Sequence, residues 1–167
     1  MHIRMANQAD FTAMWPIFKA VISSGTTYAF SPKTDRLTAF DYWFNQNIIS
    51  TYVAEEDKQI FGMYKLVANQ RGLGAHVANA SFMVDPVCSS KGIGKRMGTH
   101  SLKEAKRMGF KAMQFNFVVS TNEPAVALWK KLGFSIVGQL PQAFQHQKLG
   151  FVDAYVMHRF LDDIVVD

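Results

Sequence analysis

The segment Ser89-Ser90-Lys91-Gly92-Ile93-Gly94-Lys95-Arg96-Met97-Gly98 places glycines and cations between an apolar run and a helical pattern. The apolar run, 78–84, reads as a strand and closes on Asp85-Pro86. Glycines at such a junction let backbone approach an anion, and a helix start offers free N–H groups with partial positive charge. The chemistry expected here is phosphate binding. Spacing separates the candidate ligands. A nucleoside triphosphate loop needs four residues between its first glycine and Gly-Lys-Ser/Thr. Gly94-Lys95 is followed by Arg96 and position 89 is Ser, so that loop is excluded. A dinucleotide fingerprint needs Gly-x-Gly-x-x-Gly and a later acid. Gly92, Gly94 and Gly98 miss the last spacing, and the next strand, 112–119, holds no acid.

A second motif follows: Asn122-Glu123-Pro124-Ala125-Val126-Ala127-Leu128-Trp129-Lys130-Lys131-Leu132-Gly133-Phe134. With Val84-Asp85-Pro86 and Lys91-Gly92-Ile93-Gly94, it resembles the GNAT acetyltransferase superfamily over roughly residues 75 to 137. That family carries Gln/Arg-x-x-Gly-x-Gly/Ala after Val-x-Pro, then Asn-x-x-Ala-x-x-x-Tyr-x-x-x-Gly-Phe. The resemblance implies an α/β GNAT fold, a central mixed twisted sheet flanked by helices. It implies acetyl-CoA as cosubstrate, held by Ser89, Ser90, Lys91, Gly92, Ile93, Gly94 and Lys95. It also implies backbone N–H groups of Met83 and Val84 on the pantetheine arm and thioester carbonyl, with Asn122 and Trp129 beside the cofactor. Two positions depart from the pattern. Ser89 replaces the long Gln/Arg donor, which predicts weaker cofactor binding. Trp129 stands in the tyrosine slot, and an indole N–H cannot act as a general acid.

The run His76-Val77-Ala78-Asn79-Ala80-Ser81-Phe82-Met83-Val84 narrows the resemblance, together with Gln114-Phe115-Asn116 and Gly138-x-Leu-Pro141-x-Ala143-Phe144. It is similar to a subgroup containing the azetidine-carboxylate acetyltransferases of yeasts. This implies a small amino-acid-like amine as acceptor and direct transfer in a ternary complex. Asn79 is the candidate catalytic residue. On a strand it shares a face with Ser81 and Met83, and a polar residue in an apolar strand needs a partner. The acceptor amine and a neighbouring loop are both open as that partner. Tyr28 and Phe30 are candidates to lid the substrate pocket or to plug the core. Asn116 reads as structural, Asp153 as an ion-pair partner of Arg159 or a lysine, and Cys88, His76 and His146 as ordinary residues. A protein or peptide N-acetyltransferase and a non-catalytic coenzyme A-binding regulator are the alternatives.

These residues need a scaffold, and bulk composition supplies one. At 167 residues, 49% hydrophobic, the chain is expected to form a single domain over 1–167 with a real core. No apolar run approaches a membrane span or resembles a signal peptide. A lone cysteine excludes a disulfide framework and leaves no metal set, so a reducing cytoplasm is expected. The net charge of +5 gathers in Lys91, Lys95, Arg96, Lys103, Lys106 and Arg107. That cluster suits a polyanionic cofactor and a solvated helix face, and no nucleic-acid-binding motif accompanies it. A homodimer through the C-terminal strands is implied by the resemblance.

Periodicity predicts strands at 2–5, 52–54, 60–68, 78–84, 111–119, 134–137 and 151–160. Helices are predicted from 11 to 22, from 34 or 35 to 47, from 92 to 108 and up to 132. Asp10 is expected to cap the first, Ser120 with Glu123 to form a capping box for the last, and Asn122 to serve both as a cap of that helix and as a cofactor contact.

Overall fold

The computed structural model describes residues 1–88 and 91–166. They form β1 (His2–Met5), α1 (Phe11–Ser23), α2 (Arg36–Phe44), β2 (Ser50–Glu56), β3 (Gln59–Ala68) and β4 (Val77–Val84). Then come α3 (Ile93–Arg107), β5 (Ala112–Val119), α4 (Glu123–Lys131), β6 (Ser135–His146) and β7 (Gly150–Phe160). The strands make one sheet in the order β1-β2-β3-β4-β5-β7-β6. Every pairing is antiparallel except β4 with β5. This is the mixed, helix-flanked sheet expected from the sequence.

Period-2 alternation divides the core in two. β3 sends Met63 toward α1 and α2, where it packs with Phe18, Trp43 and Met83. It sends Tyr64 and Leu66 toward α3 and α4, among Met97, Phe115 and Trp129. Polar contacts fix how α3 lies on its face. The Tyr64 hydroxyl is 2.6 Å from His100 Nδ1, and the Tyr52 hydroxyl donates to Glu104 at 3.0 Å. Orienting α3 this way sets the direction in which its N-terminus points.

Several local expectations are corrected. Asp10 makes no capping bond to α1; its carboxylate pairs with Arg4 at 2.8 Å and closes a capping box with Asn7 around a 3₁₀ turn. Asn122, rather than Ser120, caps α4, accepting from the Ala125 N–H at 3.4 Å. α2 stops at Phe44, because Asn45 is extended. β6 runs to His146 instead of ending near 137. Its register slips between Ile136 and Gly138 and between Leu140 and Phe144, and these bulges let an edge strand carry Pro141. Asp153 has no ion pair with Arg159; it accepts from the Gln142 N–H at 2.8 Å and from the Gln139 amide.

Candidate active site

β4 and β5 pair only at Val77 with Ala112 and Ala78 with Met113. Beyond these residues each strand follows its other neighbour, β4 staying with β3 and β5 with β7. The sheet therefore opens as a V. β4 exposes one row of backbone groups inside it. The Asp85 N–H bonds the Phe61 carbonyl and the Asn69 N–H bonds the Val77 carbonyl. Antiparallel alternation then turns the N–H and C=O groups of odd-numbered β4 residues toward β3, and those of Ala80, Phe82 and Val84 into the V. Val84 thus turns its N–H into the V. Met83 does not: its amide faces β3 and its side chain is buried among α1 and α2.

A cavity of about 360 Å³ occupies the V. Asn79, Ser81 and Tyr42 line it from the α1–α2 side, and Phe82, Phe115 and Trp129 from the α3–α4 side. Tyr28 and Phe30 line it from the loop between α1 and α2. Phe30 also packs edge-on against Phe18 and Tyr42, so it serves cavity wall and core together. Tyr28 has a more specific contact. Its hydroxyl donates to the Phe82 carbonyl at 2.6 Å and accepts from the Phe82 N–H at 2.9 Å. One oxygen satisfies both backbone groups that β4 turns into the V at that residue. Burial pushes the Tyr28 hydroxyl pKa well above the ordinary tyrosine value, so it stays protonated.

Asn79 borders the cavity, half-buried, its backbone paired with Val67 and its side chain without a hydrogen-bond partner among the described residues. Trp129 is 7% exposed and wedged between Phe82 and Phe115, with ring centroids 4.8 and 4.7 Å away. The wedge depends on Gly98 of α3. A Cβ there would lie 2.6 Å from Leu132 Cδ1 and 3.1 Å from Trp129 Cζ3, so the bulkier ring in the tyrosine slot is accommodated by the absence of a side chain opposite. Asn116 donates to Asn69 at 2.7 Å and accepts from Gln114 at 2.8 Å, a bracing contact at the cavity rim. His76 is exposed, and the His146 ring accepts turn N–H groups of Lys148 and Leu149. Cys88 is buried.

At the other end of β4 the chain enters α3 through Gly92, whose φ of 74° is the left-handed conformation that favours glycine. The first intrahelical bond runs from the Arg96 N–H to the Gly92 carbonyl, leaving the N–H groups of Ile93, Gly94 and Lys95 without helical acceptors. Among the described residues no side chain caps this end, and the first turn holds no acid. Lys91 and Lys95 stand exposed beside it, while the Ile93 side chain is buried, so Ile93 can offer only its backbone. Free N–H donors, a helix dipole and flanking cations fit a pyrophosphate. Ser89 and Ser90, assigned to the same loop from the sequence, lie outside the described residues.

Sequence reasoning missed Lys65, Tyr42 and the pairing of Tyr28 with Phe82. Lys65 was detectable as a lone cation in the apolar strand Ile-Phe-Gly-Met-Tyr-Lys-Leu-Val. The Tyr28 contact spans 54 residues and leaves no local signal.

The acetyltransferase (GNAT) family model matches residues 14–134, spanning both the loop and the Asn122–Phe134 motif. The N-acetyltransferase aca1 of Schizosaccharomyces pombe is 30% identical over 153 residues, covering 81% of this chain and 72% of that protein. An L-methionine sulfoximine/L-methionine sulfone acetyltransferase of Salmonella typhimurium is 27% identical over 151 residues, covering 85% and 84%. Among solved structures, a GCN5-related N-acetyltransferase from Kribbella flavida superimposes with a TM-score of 0.90 at 39% identity, covering 95% of this chain and 96% of that one. The chain belongs to the GNAT acetyltransferase family and is an acyltransferase with acetyl-CoA as its cosubstrate.

Proposed function

We propose that this enzyme transfers the acetyl group of acetyl-CoA directly to the amine of a small amino-acid-like metabolite. The observation that carries the reading is the cavity of about 360 Å³ in the V, walled on one side by Tyr28 and Phe30, a volume that suits a small metabolite. Several relatives named as acting on amino acids add support, among them the Salmonella protein and the L-amino acid N-acyltransferase MnaT of Escherichia coli. Cyclic secondary amino acids such as azetidine carboxylate are proposed first within that class, from the 76–84 run.

The thioester supplies an activated acetyl group, and this chain supplies position and electrostatics. The N–H groups at the start of α3 hold the pyrophosphate, with Lys91 and Lys95 beside them and Asn122 near the second helix start. The Val84 N–H pairs with the pantetheine arm along the open edge of β4. Fixed backbone donors of this kind stabilise the oxyanion that develops on the thioester carbonyl. The Asn79 side-chain oxygen accepts a hydrogen bond from the acceptor amine and orients its lone pair toward that carbon. Trp129 walls the thioester without donating a proton. A homodimer is proposed through edge strand β6 and its neighbour β7, where Val137 and Phe151 are 60% and 65% exposed.

The test is release of coenzyme A thiol from acetyl-CoA across proline analogues, other amino acids, polyamines, aminoglycosides and short basic peptides. Turnover concentrated in the small amino acids is expected. Turnover confined to peptides would overturn the reading, and tight acetyl-CoA binding with no turnover on any amine would identify a regulator.

A further inference from the structure

Among the cavity's described lining residues none carries a charge. An amino-acid acceptor brings a carboxylate, and burying a carboxylate against neutral groups alone is unfavourable. One candidate for compensation is a cation behind the wall. Lys65 is 7% exposed. Its Nζ sits 3.2 Å from the centroid of the Tyr42 ring and donates to the Tyr42 carbonyl at 2.6 Å. No carboxylate forms a salt bridge with it among the described residues. The Trp43 ring lies 5.9 Å away and the exposed Asp41 contributes only a longer-range charge interaction, so this buried ammonium is incompletely compensated.

The contacts lead from this ammonium to the cavity. Lys65 lies directly opposite Ser81 across the β3–β4 pair, so both side chains leave the same sheet face. The Tyr42 hydroxyl donates to Ser81 Oγ at 2.6 Å. With its oxygen already accepting, Ser81 keeps its own proton for another acceptor. Tyr42 and Ser81 both border the cavity beside Asn79.

We propose that Lys65 is a specificity-determining residue for acceptors bearing a carboxylate, acting by its field and through the Tyr42–Ser81 hydroxyl pair. The inference rests on the reading that the acceptor is amino-acid-like. Coulomb's law at an effective dielectric of about 20 and a separation of about 8–10 Å gives about a ten- to thirtyfold preference for a carboxylate over its neutral amide. Burial also pushes the Lys65 pKa down to about 8, opposed by the charge of Asp41. Asp41 and Tyr42 are the titratable groups facing it from α2, with Tyr28 next to Tyr42. Its strand partners across β2 and β4, Thr51 and Ser81, are uncharged. The preference therefore declines as pH rises through about 8.

The experiment is calorimetric titration of N-acetyl-L-proline and N-acetyl-L-prolinamide into the protein saturated with coenzyme A, at pH 7 and pH 9. Wild type is expected to prefer the carboxylate about ten- to thirtyfold at pH 7 and several-fold less at pH 9. Lys65→Met should remove both the preference and its pH dependence. Tyr42→Phe keeps the ring under the ammonium but removes the hydroxyl, and should lower the preference while keeping the pH dependence. This second variant decides the matter if Lys65→Met does not fold. An equal preference in wild type and Lys65→Met, or no preference in wild type, overturns the inference. Because the titration needs no turnover, it decides the role of Lys65 even if the amine panel is silent and the acetyl-transfer reading fails.

Discussion

Tyr28→Phe removes a single oxygen and leaves the ring in place, so its effect can be worked from two bonds. The oxygen donates to the Phe82 carbonyl at 2.6 Å and accepts from the Phe82 N–H at 2.9 Å. Each bond contributes about 1 kcal/mol net, and a dry orphaned backbone group costs about 1–3 kcal/mol. Because the cavity borders this site, water can reach part of the gap, which brings the expected loss to about 2 kcal/mol. For a domain of this size, each kcal/mol moves the melting temperature by about 2–4 °C, so a fall of about 4–8 °C is expected. The assay is thermal unfolding followed by circular dichroism without cofactor. The same edge of β4 is where the pantetheine arm is proposed to lie. Saturating acetyl-CoA should therefore raise the variant's melting temperature by more than it raises the wild type's. A fall of less than about 2 °C without cofactor, with the fold intact, would refute the reasoning that this hydroxyl satisfies the open strand edge.

Trp129→Phe should change turnover little, since the indole has no acid role to lose, while Trp129→Ala should cost about 3–5 kcal/mol of stability in urea unfolding. A large turnover loss in a well-folded Phe variant would contradict this. Gly92→Ala meets no atom within 4 Å but must adopt a φ of 74°, so it should lose about 1–2 kcal/mol of stability and weaken acetyl-CoA binding measured by calorimetry. Hydrogen bonding from Arg4 holds the Asp10 carboxyl below its ordinary value. A group depressed in the folded state contributes stability above its unfolded pKa and loses it as pH falls through the folded one. The stability difference between wild type and Asp10→Asn should thus be full above about pH 4 and shrink below it in acid-unfolding curves. The titratable side chains lining the described cavity are Tyr28 and Tyr42, both shifted upward by burial. For acceptor amines lacking a carboxylate, kcat/KM should rise through the acceptor's own pKa, and a midpoint shared by two amines of different basicity would point to an enzyme base instead.

The legible parts of the fold were those governed by short-range rules. Apolar alternation placed the strands around Met63 and Phe115, and Gly109 and Gly133, both at a φ of 86°, marked the ends of α3 and α4. Errors arose where other contacts outweighed a local signal. Asp10 precedes α1 as its cap residue, but Arg4, brought near by β1, and the Asn7 N–H hold its carboxylate on the 3₁₀ turn before the helix, so α1 starts without a side-chain cap. β6 was cut short because Gly138 and Pro141 read as breakers, whereas bulges on an edge strand absorb both. In the site, the glycine loop and the Asn122–Phe134 motif that carries Trp129 were readable as linear motifs, whereas the packing of Trp129 between Phe82 and Phe115 was not. Nor was the opening of β4 from β5, because it depends on which neighbour each strand keeps. The commitment of the Met83 amide to β3 follows from that same pairing.

The buried charge of Lys65 also bears on how the reaction proceeds without an evident acid or base. A thiol of pKa about 8.5 leaves as a tolerable thiolate, so the missing tyrosine at Trp129 removes assistance rather than a requirement. The harder demand is a neutral amine, because an ordinary ammonium of pKa about 10 is almost wholly protonated at neutral pH. A cation behind the cavity wall disfavours a second cation inside it, and partial burial acts in the same direction. In the proposed arrangement one field therefore does two things: it draws the acceptor's carboxylate toward Ser81 and lowers the ammonium pKa at the other end of the same molecule. The proton can then leave to solvent before attack, and Asn79 needs only to orient the lone pair that remains. This assigns proton transfer to electrostatics, and it accounts for the absence of any carboxylate or histidine among the described residues lining the cavity.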